Sequence, residues 1–551
     1  MDRNAIQSLS LKGRGFTPYA LSSLLPLPSE GEGGPRSRRL REDEGAFNSV
    51  AVLVMRAVRH LRRMASIART LARFDALFPL SRIGVPSYAL APLRMSVLLR
   101  RDIKDLRPGV RLTRALHALG PSFIKLGQAF SVRPDLVGEE LADDLAALQD
   151  HLPPFPAEQA RATIEAELGK PIAALFQSFD DMPVAAASIA QVHRAVTTDG
   201  AEVAVKVLRP DVEAAFARDL DLLLWLAEIA EHRRPDLARL KPVDSVRAIA
   251  ETVASEMDLR YEAAAADELR GNFADDPYFR VPPVDWRRTA RRVLTIGWVG
   301  GVPVDERERL IDAGLDPRAI VAHMARTFFL QVFRDGFFHA DLHPGNLFVD
   351  DAGAINAVDF GIMGRMDRRT RLYLAEMLLA FLNRDYKRVA DVHIRAGFVP
   401  PDQSADAFAQ AARSIAEPIL DLPMGEISLA TLLAQLFQVT AKFRMPTQPK
   451  LLLLQKTMLV AEGVGRRLAP DTNMWELARP LIMEWAETYL SAEAQVAMAA
   501  SDLADALARL PALIENLEET VVDFTRHGLK LHPDTVAALA AANQGRRARW
   551  R

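Results

Sequence analysis

His339-Ala340-Asp341-Leu342-His343-Pro344-Gly345-Asn346, followed by Val358-Asp359-Phe360-Gly361, is the stretch on which the reading of this chain turns. An Asp with an Asn five positions on, then a short apolar run and Asp-Phe-Gly, sets three oxygen-bearing side chains in an order that suits triphosphate chemistry. Moving a phosphoryl group from a nucleoside triphosphate needs a divalent cation against the phosphate oxygens, hard oxygen ligands for that cation, and a carboxylate beside the attacking hydroxyl. Asn346 and Asp359 are the candidate Mg²⁺ ligands, and Asp341 is the candidate catalytic carboxylate. Asp-Phe-Gly alone is a weak signal; its weight comes from its neighbours and their order.

Upstream, Val203-Ala204-Val205-Lys206-Val207-Leu208 is a β-rich run entered through a Thr198-Asp199-Gly200 turn. A lysine on such a strand can pair with the α and β phosphates of ATP when a helical carboxylate orients it. Glu262 is the candidate partner, in a helical stretch with Asp258 one turn earlier on the same face. Each match alone reads as a surface lysine or a solvated carboxylate. Together, in this order, the four resemble protein-kinase-like phosphotransferases. Where a glycine-rich phosphate loop would be expected stands Ala185-Ala186-Ala187-Ser188-Ile189-Ala190-Gln191-Val192-His193. Alanine keeps the side chain small but restricts positive φ, which predicts a stiffer loop over the phosphates and altered nucleotide handling.

The rest of the chain bounds the alternatives. Its 551 residues are 49% hydrophobic and 25% charged, enough for two or more packed units. A formal net charge of −2 argues against a whole-chain nucleic-acid binder. Residues 1–114 nevertheless carry 21 Lys plus Arg against 9 Asp plus Glu. The absence of cysteine excludes disulfides, thiolate zinc sites and a cysteine nucleophile. No stretch reaches the roughly 18 apolar residues of a spanning helix, and the start lacks a secretory pattern.

Residues 1–48, rich in Pro, Gly and charge, read as a disordered segment. Residues 49–155 read as a helical extension; its first part, Ser49 to Phe78, sets apolar positions against Arg56, Arg59, Arg62, Arg63, Arg69 and Arg73. That pattern fits a packed helix with a solvated face as well as an anionic membrane surface. Residues 156–302 read as the strand-bearing lobe with a helical insertion, 303–492 as a mostly helical lobe, and 493–551 as a helical, basic tail.

Further motifs make the resemblance specific. Gly120-Pro121-Ser122-Phe123-Ile124-Lys125-Leu126-Gly127-Gln128 resembles the K-x-G-Q signature of the UbiB family of atypical kinase-like proteins, linked to ubiquinone biosynthesis. Arg133-Pro134-Asp135 and Leu148-Gln149-Asp150 follow in the family's order, Ala185 to His193 resembles its alanine-rich loop, and Glu256-Met257-Asp258 its E-x-D motif. The resemblance implies an α+β, atypical protein-kinase-like two-lobed fold with a helical N-terminal extension and a helical C-terminal tail. It also places Lys125, Gly127 and Gln128 as regulatory residues near the nucleotide, with Glu256 and Asp258. ATP and Mg²⁺ are the implied cofactors. A quinone-precursor lipid or quinone-biosynthesis proteins are the implied partners, at the cytoplasmic face of a bacterial inner membrane, peripherally bound.

Three departures accompany it. Gly297 stands in Thr295-Ile296-Gly297-Trp298 where relatives commonly carry Glu, leaving adenine to backbone groups. The chain ends at Gly545-Arg546-Arg547-Ala548-Arg549-Trp550-Arg551, which resembles a juxtamembrane segment without an anchor, and its low-complexity start has no family counterpart. Ala340 replaces the Arg that would grip an activation-loop phosphate, and helical sequence resumes by about Arg368 with no Ala-Pro-Glu, leaving little room to dock a peptide. The expected activity is therefore ATP hydrolysis or action on a small or lipid-like molecule. The alternative is a non-catalytic nucleotide-binding scaffold or lipid-extraction module. His193, His339 and His343 are read as packing rather than a metal site, and Leu451 to Leu454 as an internal helix face.

Overall fold

The computed structural model describes residues 59–78, 106–131, 138–146, 152–233, 242–423, 442–445 and 449–489, with 426, 435, 438–440 and 500 besides. Residues 59–69 belong to one compact unit and are helical; residues from 70 onward belong to a second, to which everything below refers. The expected segment 1–48, the motifs at Arg133-Pro134-Asp135 and Leu148-Gln149-Asp150, and the tail 493–551 apart from residue 500 lie outside the described residues.

The extension is helical as expected: α1 (Pro108–Leu119), α2 (Pro121–Ser131) and α3 (Glu139–Ala146). Proline sets both α1 and α2 going, where a missing N–H is harmless, and Gly120 at φ +104° separates them. After the 152–156 linker come α4 (Ala157–Leu168), the short α5 (Ile172–Leu175), then β1 (Phe176–Phe179), β2 (Ala185–Ala186), β3 (Ala190–Thr197) and β4 (Glu202–Leu208). Next follow α6 (Val212–Arg233), α7 (Pro242–Glu256), α8 (Leu259–Asn272), β5 (Phe279–Arg280) and β6 (Val293–Gly297). β1, β3, β4 and β6 lie in that order in an antiparallel sheet, with β2 also on β3.

The two-residue period of β4 decides what each face of that sheet meets. Val203, Val205 and Val207 bury against Ala160, Ile164, Ile172 and Leu175 of α4 and α5. The opposite face, carrying Ala190, Leu208, Leu294 and Ile296, packs on Val253 of α7, on Met257 just after it, and on Leu259 and Ala263 of α8. Lys206 alternates onto this second face and so is turned toward α8.

The second lobe holds β7 (Val302–Pro303), α9 (Arg307–Asp312), α10 (Pro317–Phe329), a π-helical turn Leu330–Asp335, β8 (Phe337–His339), β9 (Leu347–Val349), β10 (Ile355–Ala357) and β11 (Met363–Arg365). Strand order β5-β10-β9-β7 makes one small sheet, and β8 pairs β11 with His339 opposite Met363. α11 (Arg368–Leu382), α12 (Tyr386–Arg395), α13 (Ala405–Ala416), α14 (Pro449–Leu468) and α15 (Met474–Tyr489) complete it. α14 reaches two cores, Leu454 packing with Phe338 and Ala340, and Val464 and Leu468 with Leu347 and Phe360. The result is the two-lobed α+β architecture that the motifs imply. Among the described residues no helix is long and apolar enough to cross a membrane.

The β8–β11 pair depends on one missing side chain. A Cβ at Gly364 would lie 2.1 Å from Cζ of Phe338, whose ring is buried. Gly364→Ala is therefore expected to destabilise the protein by about 1–3 kcal/mol through overpacking. Urea unfolding reads this directly; an unchanged midpoint would mean that the Phe338 ring relaxes without loss.

Candidate active site

Lys206 Nζ donates to Glu262 Oε1 at 2.8 Å and Oε2 at 3.0 Å, and to Asp359 Oδ1 at 2.9 Å. Three segments far apart in sequence thus meet at one ammonium. Glu262 gets there because it shares the buried stripe of α8 with Leu259, Ala263, Ala266 and Leu269. Asp359 gets there through a left-handed backbone at φ +63°, a conformation that Asp tolerates better than most residues but that still stores strain.

Two carboxylates share one cation, so the trio carries a net charge of about −1 when both are ionised. Desolvation opposes the charge on Lys206, but Asp359 and Glu262 outweigh it and hold the ammonium above its usual range. Desolvation likewise opposes charge on Asp359, and there the attraction of Lys206, helped by Lys125, wins and holds the carboxyl well below the usual range. Glu262, only 8% exposed, is left with the difference: burial, with the nearby Asp359 charge, pushes it up to about 7 against the pull of Lys206.

A folded-state value above the ordinary one has a definite sign. The stability that protonated Glu262 contributes is full below its unfolded value near 4.5 and is lost as pH rises through about 7. Wild type is expected to lose stability relative to Glu262→Gln between about pH 5 and pH 8, by a few degrees in melting midpoint. A midpoint difference that stays flat over that range contradicts the charge account.

The Asp341 loop is held by His339, which is fully buried. Its backbone N–H donates to Gln331 Oε1 at 2.8 Å, its Nδ1 accepts from Asp341 N at 3.2 Å, and its Nε2 lies 3.3 Å from Val358 O. Burial pushes its pKa down, so the ring is a neutral brace between the loop and the strand leading to Asp359. Both ring nitrogens thus face backbone groups of the fold. Asn346 Nδ2 donates to Asp341 O at 3.1 Å and Oδ2 at 3.4 Å, which leaves the Asn346 carbonyl oxygen as a hard donor. With the half-exposed Asp359 carboxylate it offers oxygen ligands beside a site of excess negative charge, a donor set that suits Mg²⁺ sharing phosphate and water ligands. Among the described residues no three His, Asp or Glu side chains cluster as a metal cage.

The alanine-rich loop departs from its expected role in part. β2 and the turn 187–189 are braced by Arg209, whose Nε donates to Ala187 O at 3.0 Å, N to Ile189 O at 2.8 Å and Nη2 to Pro153 O at 2.9 Å. Stiffness thus has a second source, which the sequence reading missed. Val192 lies directly opposite Lys206 and on its face of the sheet. Gln191 and His193 do not. Both are fully buried: Gln191 exchanges hydrogen bonds with the Phe155 backbone at 3.0 and 3.3 Å and meets His193 at 2.8 Å, and His193 Nδ1 bonds Asp180 O at 2.7 Å. Their side chains brace the sheet against the 152–155 linker rather than reach a nucleotide. Ser188, also fully buried, keeps a hydroxyl without a partner among the described residues.

Lys125 Nζ lies 3.1 Å from Glu256 Oε2, tying α2 to the end of α7. Gly127 is buried on the same helix, and Gln128 O accepts from Ser131 Oγ at 2.8 Å. Asp258 is not inside the helix, one turn before Glu262, as expected; it is the N-cap of α8, accepting from Arg260 N at 3.1 Å and pairing with the Arg260 guanidinium at 2.6 Å. At Gly297 a Cβ would sit 2.9 Å from Pro283 Cδ, so the Pro282-Pro283 segment fills the place of a side chain.

One feature of the site comes from α14. Lys456 Nζ stands 3.8 Å from Asp341 Oδ1, and the fully buried Thr457 hydroxyl shares its one proton between Leu453 O of its own helix at 2.8 Å and Ala340 O at 3.2 Å. A Lys-Thr pair interrupting Leu451 to Val460 was the available signal, and reading that run as internal packing passed over it.

Residues 147–393 match the ABC1 atypical kinase-like domain, and residues 412–473 the UbiB helical domain. A "Probable protein kinase UbiB" of Marinobacter nauticus is 42% identical over 434 residues, 77% of this chain and 78% of that one. The protein of the same description from Xylella fastidiosa strain 9a5c is 44% identical over 389 residues, 69% and 70% of the two chains. A solved structure, the complex of Rv3197 with erythromycin from Mycobacterium tuberculosis, is 27% identical and covers 65% of this chain and 90% of that one, at a TM-score of 0.49.

Proposed function

The chain belongs to the UbiB family of atypical kinase-like proteins, and from that premise we propose that it uses Mg²⁺-ATP at the Lys206, Glu262, Asp341, Asn346 and Asp359 site to support ubiquinone biosynthesis at a membrane surface. The observation that carries the reading is the three-way contact of Lys206 with Glu262 and Asp359. It joins the phosphate-binding lysine, its orienting carboxylate and the metal-binding aspartate in one geometry, as phosphoryl transfer requires.

In this account Lys206 binds the α and β phosphates, and the backbone of the 185–189 loop covers them. Asn346 and Asp359 would hold Mg²⁺, which would supply charge neutralisation at the phosphate oxygens. Asp341 takes the proton of the attacking water or hydroxyl. That oxygen's lone pair forms the new bond to the terminal phosphorus as the bond to the bridging oxygen breaks, its electron pair leaving with ADP. Support for a small acceptor over a protein comes from the short run between Gly361 and α11, which is occupied by β11. Lys125 and Glu256, joined beside the trio, are the regulatory contact of this reading, with Gly127 and Gln128 on the same extension and Asp258 setting the start of α8.

The test is ATP hydrolysis by purified protein with Mg²⁺ and with EDTA, in the presence and absence of anionic liposomes. Mg²⁺-dependent turnover raised by liposomes supports a membrane-coupled ATPase. Nucleotide binding without turnover in any condition moves the reading to a non-catalytic module.

A further inference from the structure

We propose that Lys456 is a catalytic residue that contacts the terminal phosphate of bound nucleoside triphosphate, so that α14 completes a site to which the catalytic loop itself brings no cation. The inference rests on the nucleotide reading above and adds to it a γ-phosphate subsite supplied from the helical region.

Charge on a transferring phosphoryl group spreads over its non-bridging oxygens, and it needs a cation close to the attacking position. Around Asp341 the catalytic loop itself supplies none. Residue 340 is alanine, and the side chain of His343 turns its Nδ1 back to accept from Gly345 N at 3.2 Å, capping the turn Pro344–Asn346. Lys206 is claimed by two carboxylates, Glu262 and Asp359. Lys456 is the side chain that meets the need, its Nζ 3.8 Å from Asp341 Oδ1. An acceptor oxygen must touch both Asp341 and the terminal phosphorus, so a cation this close to Asp341 is within reach of the phosphoryl oxygens.

Two further observations separate a phosphate contact from a structural latch. Lys456 and Asp341 are 37% and 33% exposed, so the pair opens to solvent, where an ion pair adds little to folding. A structural latch already stands next door: Leu454 packs on Phe338 and Ala340, and the buried Thr457 hydroxyl, shared between Leu453 O at 2.8 Å and Ala340 O at 3.2 Å, helps set the register of α14 on the loop. That register is what brings Lys456 to the cleft, while its flexible stem lets the ammonium follow a phosphate.

The test compares the Kd of ATP and of ADP, with Mg²⁺, and the turnover number for wild type, Lys456→Gln, Lys456→Arg and Thr457→Val in the full chain. Lys456→Gln is expected to weaken ATP by about tenfold or more, leave ADP within about twofold, and lower turnover by about 10²-fold, with Lys456→Arg recovering part of the ATP affinity. Thr457→Val, which loosens α14 without removing the charge, should lower the melting midpoint with no selective loss of ATP. Equal weakening of ATP and ADP by Lys456→Gln, or no change in either, overturns the assignment. A wild-type protein that binds neither nucleotide overturns the nucleotide reading itself, and the subsite falls with it.

Discussion

Asp341→Asn is expected to lower Mg²⁺-dependent turnover by about 10²–10⁴-fold while nucleotide affinity changes by no more than about threefold. The substitution is nearly isosteric, and the loop keeps its supports: the Asp341 backbone still bonds His339 Nδ1, and its carbonyl still accepts from Asn346 Nδ2. What is removed is the proton acceptor and, with it, the negative charge beside Lys456. Because Lys206 and the Ala185–Ile189 loop are untouched, the variant should bind ATP and stall before transfer. Turnover equal to wild type in a folded, ATP-binding variant would remove Asp341 from the chemistry.

Lys206→Met is expected to act twice. It leaves Glu262, 8% exposed, and Asp359 facing each other with no shared cation. Breaking a buried pair by removing one partner costs about 3–5 kcal/mol, and the actual loss should fall at or below the lower end. Two features relieve it: Glu262 can take up a proton near neutrality, and Asp359 is 48% exposed. The second effect is on ligand: without the ammonium, ATP affinity should fall by about tenfold or more. Adding Glu262→Leu separates the two, since replacing the pair by apolar groups should restore unfolding stability but not ATP binding. If the single variant keeps wild-type ATP affinity, the lysine is structural.

Much of this architecture is legible in local patterns, because the informative residues sit where period and chemistry coincide. Alternation in β4 is enough to turn Lys206 away from the valine face, and the buried stripe of α8 takes in Glu262. What was not legible depends on contacts between distant segments. Gln191 and His193 lie in a motif that reads as phosphate-covering, yet alternation carries both to the opposite face of β3, where the linker backbone at Phe155 claims Gln191. By spacing Asp258 reads as part of the helix of Glu262, but a carboxylate able to accept from the second helical N–H is more favourable as the cap. Arg209 and Lys456 carried no motif at all. Their positions follow from how the 152–155 linker and α14 pack; for Lys456 the one local trace is the polar break in Leu451 to Val460, which does not say what the lysine faces.

The central claim is that the Lys206, Glu262 and Asp359 trio is a metal-assisted nucleotide site. Calorimetric titration of ATP into the wild-type protein, with Mg²⁺ and then with EDTA, beside Asp359→Asn, tests it most directly. The account expects saturable binding with Mg²⁺ that weakens by about tenfold or more in EDTA and in the variant alike. Absence of saturable binding, or binding of equal strength in all three titrations, contradicts it.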